Sequence, residues 1–307
     1  MIESTIQTSM IRLPHGIDLS IRTCGEQGRP VLMFLHGFPE AAFVWDEYLE
    51  HYANLGYRAV APNLRGFERS SSPADAFSYR AKHLVQDIAA LIESEVGKDG
   101  QLACLIAHDW GGAVAWNLAN QLPQLQKKLV IINSPHAGTM LRELQSSPAQ
   151  QAASQYMNFL ARPDAPALLV ENDFARLWPF FENMSSHWMT DSVKDQFREV
   201  WRMGLIGGCN YYVASPMKPA PKATSSKAST SAELTIHTLV LPREMLTIKV
   251  PTQIIWGMKD IALRPELLDG LDDFIADLRI HKIDDATHWV THEKPALVKQ
   301  LIENFLR

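Results

Sequence analysis

Nine residues, Leu105-Ile106-Ala107-His108-Asp109-Trp110-Gly111-Gly112-Ala113, constrain the fold of this chain more than any other stretch. Residues 101–107 form a short apolar run suited to a strand buried on both faces. Residues 113–122 carry apolar side chains at helical spacing and are stopped by Pro123. A strand that becomes a helix within about three residues needs small neighbours at the turn. Ala107 and Gly111 stand two residues either side of Asp109, and Gly112 lets the helix lie close to the sheet. The turn presents the Asp109 side chain at the tip of a sheet, beside a helix N-terminus that favours an anion. Helix capping is the plainer reading of an Asp in this position, and partners elsewhere in the chain turn the balance towards chemistry.

At 307 residues the chain can bury roughly three quarters of its unfolded surface. One large domain with an insertion, or two modest domains, fits that length. A net charge of −5 and a pI near 6.1 give no electrostatic reason to expect nucleic acid or an anionic membrane as partner. Cys24, Cys104 and Cys209 are odd in number and widely spaced, which suits reduced thiols in the cytoplasm and implies neither a disulfide framework nor a zinc cluster. Residues 1–5 show no basic and apolar leader, and no apolar run approaches the ~20 residues of a membrane span. The expectation is a soluble, cytoplasmic protein, monomeric or dimeric.

In chain order, residues 17–24 alternate apolar and polar side chains, as a half-exposed edge strand does, whereas 30–35 are continuously apolar, as in a central parallel strand. A helix over about 42–54, a strand over 57–61, a turn-rich loop over 65–73 and a helix over about 79–96 lead to the elbow, and a further strand covers 128–133. Strands alternating with helices at this spacing predict an α/β fold with a doubly wound, mostly parallel sheet of about eight strands. The alternation stops from about 134 to 246, where the chain is helical and rich in aromatics, and it resumes with strands over 253–256 and 278–283 and a helix over about 295–306. This divides the chain into a core of residues 1–134 and 247–307 and an inserted helical cap of 135–246. Within the cap, residues 215–232 are rich in Pro, Ser, Lys and Ala and should form a flexible loop.

Asp109, Asp260 and His288 each lie just past a predicted strand, at the sheet edge where open α/β folds bind their ligands. His288 is the natural general base, since imidazole titrates near neutrality, and Asp260 would hold its other nitrogen in one tautomer. His292 is the nearest rival for the base, but it falls at the start of the last helix. The segments His36-Gly37-Phe38-Pro39-Glu40, His108-Asp109-Trp110-Gly111-Gly112, Ser134-Pro135-His136 and His288-Trp289-Val290 together resemble the epoxide hydrolases of the α/β-hydrolase superfamily. The similarity spans nearly the whole chain. It departs from the family at 215–232 and at Glu68, where many relatives have Gly.

The resemblance implies an α/β-hydrolase fold and a nucleophile–acid–histidine order of Asp109, Asp260 and His288. It also implies two cap tyrosines that hold and protonate the epoxide oxygen. Asn210-Tyr211-Tyr212 matches the Asn-aromatic-Tyr pattern and points to Tyr212, and Tyr156 precedes Pro163 by the family's seven residues. The backbone N–H groups of Phe38 and Trp110 would form the oxyanion hole and, with the two tyrosines, line the substrate site. His36, Gly37 and Pro39 would support that turn, with a cis Phe38–Pro39 bond. The chemistry suits these residue types. A carboxylate attacks an sp³ epoxide carbon without a base to deprotonate it, phenols protonate the leaving oxygen, and His288 activates the water that hydrolyses the resulting ester. The reaction needs a small, neutral, hydrophobic epoxide and water, and no metal or organic cofactor.

The same Asp serves haloalkane and haloacetate dehalogenases. The former commonly carry Asn after His-Gly, where this chain has Phe38. The latter carry Arg directly after the nucleophile and three residues later, where this chain has Trp110 and Ala113. Trp110 could still donate an N–H to a halide. A non-catalytic binding protein on the same scaffold is a further alternative, although such proteins usually lose a triad member and this chain keeps all three.

Overall fold

The computed structural model describes residues 5–184, 188–221 and 236–307. Its framework is one eight-stranded sheet in the order β1-β2-β4-β3-β5-β6-β7-β8. The strands are β1 (Gln7–Arg12), β2 (Asp18–Cys24), β3 (Val31–Leu35), β4 (Arg58–Pro62), β5 (Cys104–His108), β6 (Leu129–Ile132), β7 (Thr252–Gly257) and β8 (Leu278–Ile283). β1 and β2 join antiparallel, and β4, β3, β5, β6, β7 and β8 run parallel. Every residue of β3, β4, β5, β6 and β7 is buried, as continuous apolar runs covered by helices on both faces should be.

Two expectations fail at the N-terminal edge. β2 is not an edge strand, because β1 covers it. β1 is exposed along nearly its whole length, so neither of its faces carries an apolar pattern to read. Ser20, a polar position of β2, is buried with partners waiting for it: its amide donates to Ser70 Oγ at 2.9 Å, and its hydroxyl donates to Glu68. Glu68 takes up a left-handed backbone (φ +50°), the conformation that favours glycine. Its carboxylate also accepts from Asn63 Nδ2, so the loop closes without a glycine there.

The core helices are α1 (Asp46–Asn54, entered through a 3₁₀ turn at Ala42–Trp45), α2 (Ala81–Val96) and α3 (Asp109–Gln121). Between β6 and β7 the described chain is helical, as expected, with α4 (Ala137–Ser146), α5 (Pro148–Ala153), α6 (Tyr156–Leu160), α7 (Ala165–Phe174, kinked at Glu171–Asp173), α8 (Asp191–Arg202) and α9 (Ile206–Ala214). Lys218 Nζ donates to the carbonyls of Tyr212, Val213 and Ser215 at the end of α9, a capping role that suits a cation at a helix C-terminus. That tie orders the start of the loop expected over 215–232, of which residues 222–232 lie outside the described ones. The chain ends with α10 (Val290–Glu293) and α11 (Pro295–Leu306). His292 therefore sits in the short α10, ahead of the last helix. Among the described residues no helix is long and apolar enough to cross a membrane.

The helical insertion is tied to the core beside the candidate site. Trp201 Nε1 donates to the Pro39 carbonyl at 2.7 Å, Trp289 Nε1 donates to the Phe180 carbonyl at 2.8 Å, and Phe181 stacks on Trp289 at 4.4 Å.

Candidate active site

Asp109 follows β5 and opens α3 with φ +49°, a strained conformation for a non-glycine residue. The strain persists because its surroundings leave no alternative. A Cβ on Gly111 would lie 2.5 Å from the Leu35 carbonyl oxygen, and one on Gly37 would lie 2.3 Å from Asp109 Oδ1. The turn also depends on Ser134, whose hydroxyl donates to the Asp109 carbonyl at 2.7 Å. Asp109 thus stands clear of the sheet with its two carboxylate oxygens in different settings. Oδ1 accepts from the Phe38 amide at 2.8 Å, and Oδ2 lies 3.8 Å from His288 Nε2. The Trp110 amide belongs to the first turn of α3, where N–H groups have no intrahelical acceptor.

The loop after β3 carries Phe38. Its Phe38–Pro39 bond is cis, as the resemblance implied. His36 braces that loop: Nδ1–H donates to the Gly37 carbonyl at 2.9 Å, and Nε2 accepts from the Leu64 amide at 3.1 Å. Burial holds its pKa down at about 4, so the imidazole is neutral, as one donor and one acceptor require.

Asp260 follows β7 and His288 follows β8, the strands at the same sheet edge as β5. His288 Nδ1–H donates to Asp260 Oδ2 at 2.6 Å. Asp260 Oδ1 accepts from the amides of Ala262 and Leu263 at 2.9 and 2.8 Å, and Oδ2 also accepts from Asn133 Nδ2 at 2.8 Å. Burial pushes the Asp260 carboxyl up, but the charge and hydrogen bond of His288, with the Leu263 amide and Asn133, hold it below the usual carboxylate range. Burial likewise disfavours a charged His288, yet the Asp260 carboxylate, with Asp109 and Glu40 beyond, raises its pKa to about 9.

Tyr212 on α9 packs edge to face on Trp110 at 5.1 Å and on Phe38 at 5.4 Å, and Tyr156 at the start of α6 meets Tyr212 at 6.1 Å. Burial, and then the neighbouring Asp109 carboxylate among other groups, pushes both phenols up, so both keep their protons. The Tyr211 ring also meets Trp110, at 5.4 Å, but its hydroxyl is directed elsewhere and donates to the Arg65 carbonyl at 2.9 Å.

The structure thus brings Asp109, Asp260, His288, Phe38, Trp110, Tyr156 and Tyr212 to one place, with His36, Gly37 and Pro39 beneath. Two groups were missed in the sequence. Asn133 (φ +37°) links Asp260 to the Gly257 amide, which its Oδ1 accepts at 2.8 Å. Glu40, buried and held ionised, accepts from His108 Nδ1 at 3.1 Å and His292 Nε2 at 2.6 Å, while His108 Nε2 donates to the His288 carbonyl at 2.9 Å. Glu40 stood inside the His-Gly-Phe-Pro-Glu segment, but nothing in the sequence pairs it with His108 or His292. The cleft of about 300 Å³ against Trp178, Phe181 and Arg198 holds none of the reactive groups.

A carboxylate on a strand–helix elbow, facing a histidine oriented by a second carboxylate at the C-terminal edge of a doubly wound sheet, defines an α/β protein of the hydrolase type. The chain belongs to the α/β-hydrolase fold family, whose model matches residues 30–295. It is similar to the AB hydrolase superfamily protein YfhM of Bacillus subtilis, with 32% identity across 95% of this chain and 96% of that protein. It is also similar to epoxide hydrolase 4 of Mus musculus, with 30% identity across 95% of this chain and 77% of that one. Among solved structures, a Bacillus megaterium epoxide hydrolase in complex with an inhibitor superposes with a TM-score of 0.84 at 28% identity, across 97% of this chain and 99% of that one. The chain is an epoxide-hydrolase-like member of the family.

Proposed function

We propose that this protein is an epoxide hydrolase that converts a small, neutral, hydrophobic epoxide and water into a vicinal diol through an ester on Asp109. The observation that carries the reading is the pair of cap phenols, Tyr156 and Tyr212, in ring contact with each other and, through Tyr212, with Phe38 and Trp110, beside a carboxylate whose Oδ1 is already held by the Phe38 amide. A hydrolase acting on an acyl group needs no acid at that position, whereas an epoxide oxygen does.

Asp109 Oδ2, the oxygen left outside the Phe38 hydrogen bond, attacks an epoxide carbon and the carbon–oxygen bond breaks. A tyrosine protonates the leaving oxygen. With its pKa near 9, His288 begins the cycle as an imidazolium between two carboxylates, and its proton replaces the one the phenol gives up. The ester has lost the Asp109 charge, which weakens the hold of His288 on a proton and frees the imidazole to act as base. It then deprotonates a water that attacks the ester carbon, while the oxyanion at Oδ1 rests on the amides of Phe38 and Trp110. Collapse releases the diol and restores the Asp109 carboxylate and the imidazolium, so the protons balance over the cycle. Asp260 stays ionised throughout, and no metal or organic cofactor takes part. We place the cap that carries both tyrosines at residues 135–246, between core segments 1–134 and 247–307. Three buried cysteines without a disulfide suit the cytoplasm.

The dehalogenase alternative needs a donor free to hold a halide. Phe38 stands where haloalkane dehalogenases commonly carry Asn, and Trp110 and Ala113 stand where haloacetate dehalogenases carry Arg, which favours the epoxide reading. The test is His288→Gln incubated separately with styrene oxide and with chloroacetate, followed by intact-protein mass. The expected result is a gain equal to the whole epoxide, abolished by Asp109→Asn. A gain from chloroacetate alone, equal to the substrate less hydrogen chloride, would overturn the proposal in favour of dehalogenation.

A further inference from the structure

Gln150 is an amide side chain 0% exposed, and two of its three partners belong to the loop that carries Asp260. It projects from α5 of the helical insertion. Oε1 accepts from the Arg264 amide at 3.0 Å, and Nε2 donates to the Ala262 carbonyl and to Ser154 Oγ, both at 2.8 Å. Both amide hydrogens and the carbonyl oxygen are therefore in use. Asp260 grips the same turn from the core side, since its Oδ1 accepts from the amides of Ala262 and Leu263. Residues 262–264 thus lie between two side chains, one from the core and one from the insertion. Ile261, the link between Asp260 and the turn, is 68% exposed, so its packing does little to hold the loop.

A buried polar side chain whose partners are all met specifies one geometry. By holding the Ala262 carbonyl and the Arg264 amide, Gln150 fixes where the amides of Ala262 and Leu263 point. Those amides orient the Asp260 carboxylate, which in turn orients His288 through the 2.6 Å bond to Nδ1. Arg142 on α4 provides an internal comparison. It reaches the same segment from the insertion, donating to the carbonyls of Glu266 and Asp269 at 2.9 and 2.7 Å. These bonds lie beyond the turn that Asp260 grips.

We propose that Gln150 is a positioning residue for Asp260, so that the helical insertion completes the general-base machinery of the core as well as supplying the acids. The proposal rests on the reading of the reaction given above, and it places the dependence on one half of the cycle. Ester formation uses the Asp109 carboxylate and the phenols, whereas ester hydrolysis uses His288 as a base held by Asp260. Tyr156 follows Gln150 along the same stretch of chain. A Gln150 that only shaped that stretch would therefore act on ester formation instead.

The experiment measures ester formation and ester loss in single turnovers of styrene oxide, by rapid quenching and intact-protein mass. The proteins are the wild type, Gln150→Met, Gln150→Leu and Arg142→Met. These rate constants do not depend on the fraction folded, and two apolar replacements keep the test in hand if one of them fails to fold. In the Gln150 variants ester loss should slow about tenfold or more, the scale expected when a catalytic group is displaced from a distance, with ester formation within about twofold of the wild type. Arg142→Met should leave both rates alone. Ester loss unchanged in the Gln150 variants overturns the proposal, as does slowing of ester formation alone or equal slowing in Arg142→Met. A second arm follows the downfield proton resonance of His288 Nδ1–H, assigned by its absence in His288→Gln. It should shift or broaden in the Gln150 variants and stay in place in Arg142→Met. If the wild type opens no epoxide, the reaction reading fails. The resonance still decides the positioning role, which is overturned if the Gln150 variants leave it unmoved.

Discussion

Two adjacent tyrosines, Tyr211 and Tyr212, separate chemistry from packing at the scale of one residue. Helical spacing sends them in different directions. Both rings meet Trp110, but the Tyr211 hydroxyl donates to the Arg65 carbonyl, and its ring also meets Phe67 and Tyr79. Tyr212 meets Phe38, Trp110 and Tyr156, and burial, with Tyr156 and the Asp109 charge beside it, holds its phenol neutral. Tyr212→Phe should slow ester formation on Asp109 by about 10²-fold or more, the usual worth of a positioned acid. Tyr211→Phe should leave that rate alone and cost about 1 kcal/mol of stability, the worth of one buried hydrogen bond. Rapid-mixing mass spectrometry in the His288→Gln background reads the first, and urea unfolding reads the second. Equal slowing by both variants would refute the assignment of Tyr212.

The elbow is the element on which the site depends, and it shows what a sequence can and cannot reveal. Asp109 with Gly111 and Gly112 was legible because the turn admits so few residue types: a Cβ on Gly111 would meet the Leu35 and His36 carbonyl oxygens at 2.5 and 2.6 Å, and one on Gly112 would meet Ser134 Cβ at 2.3 Å. The fully buried strands were legible for a related reason, since a strand covered on both faces has one composition. β1 was not, because an exposed strand held by backbone pairing alone leaves no pattern. Glu40, His108 and His292 were invisible as a set because they meet only through tertiary contact, from three separate loops and helices. Gly111→Ala tests the elbow directly. The added methyl meets strand backbone and not a side chain that could turn aside, so relief must come from the β3–β5 pairing. It should cost about 3 kcal/mol or more, at the upper end of overpacking effects, measured by urea unfolding. A loss below 1 kcal/mol would mean that the elbow has slack.

Across the whole molecule, the titrating groups that shape the site also shape stability. His36 and His136 are buried and held neutral, both with pKa near 4. Unfolded histidine titrates at about 6.5, so between pH 6.5 and 4 the unfolded chain binds more protons and stability falls as the pH falls. A shift of that size corresponds to about 3 kcal/mol per histidine. Asp260 and Glu40, held ionised in the fold, add to the loss once the pH drops into the carboxylate range. His288 works in the opposite sense. With its folded pKa raised to about 9, the stability it contributes is complete below pH 6.5 and disappears as the pH rises through 9, again by about 3 kcal/mol. The two limbs predict greatest stability near pH 6.5, declining on both sides. Urea unfolding at half-unit steps from pH 4.5 to 9.5 measures this. His288→Gln should flatten the alkaline limb and leave in place the histidine-driven fall below pH 6.5. Asp109→Asn should shrink that limb and move it to lower pH, because one of the carboxylates that hold the His288 proton is gone. An alkaline limb unchanged in Asp109→Asn would mean that the nucleophile does not sense the base. Loss of the Asp109 charge on ester formation could not then free His288 for the second half of the reaction.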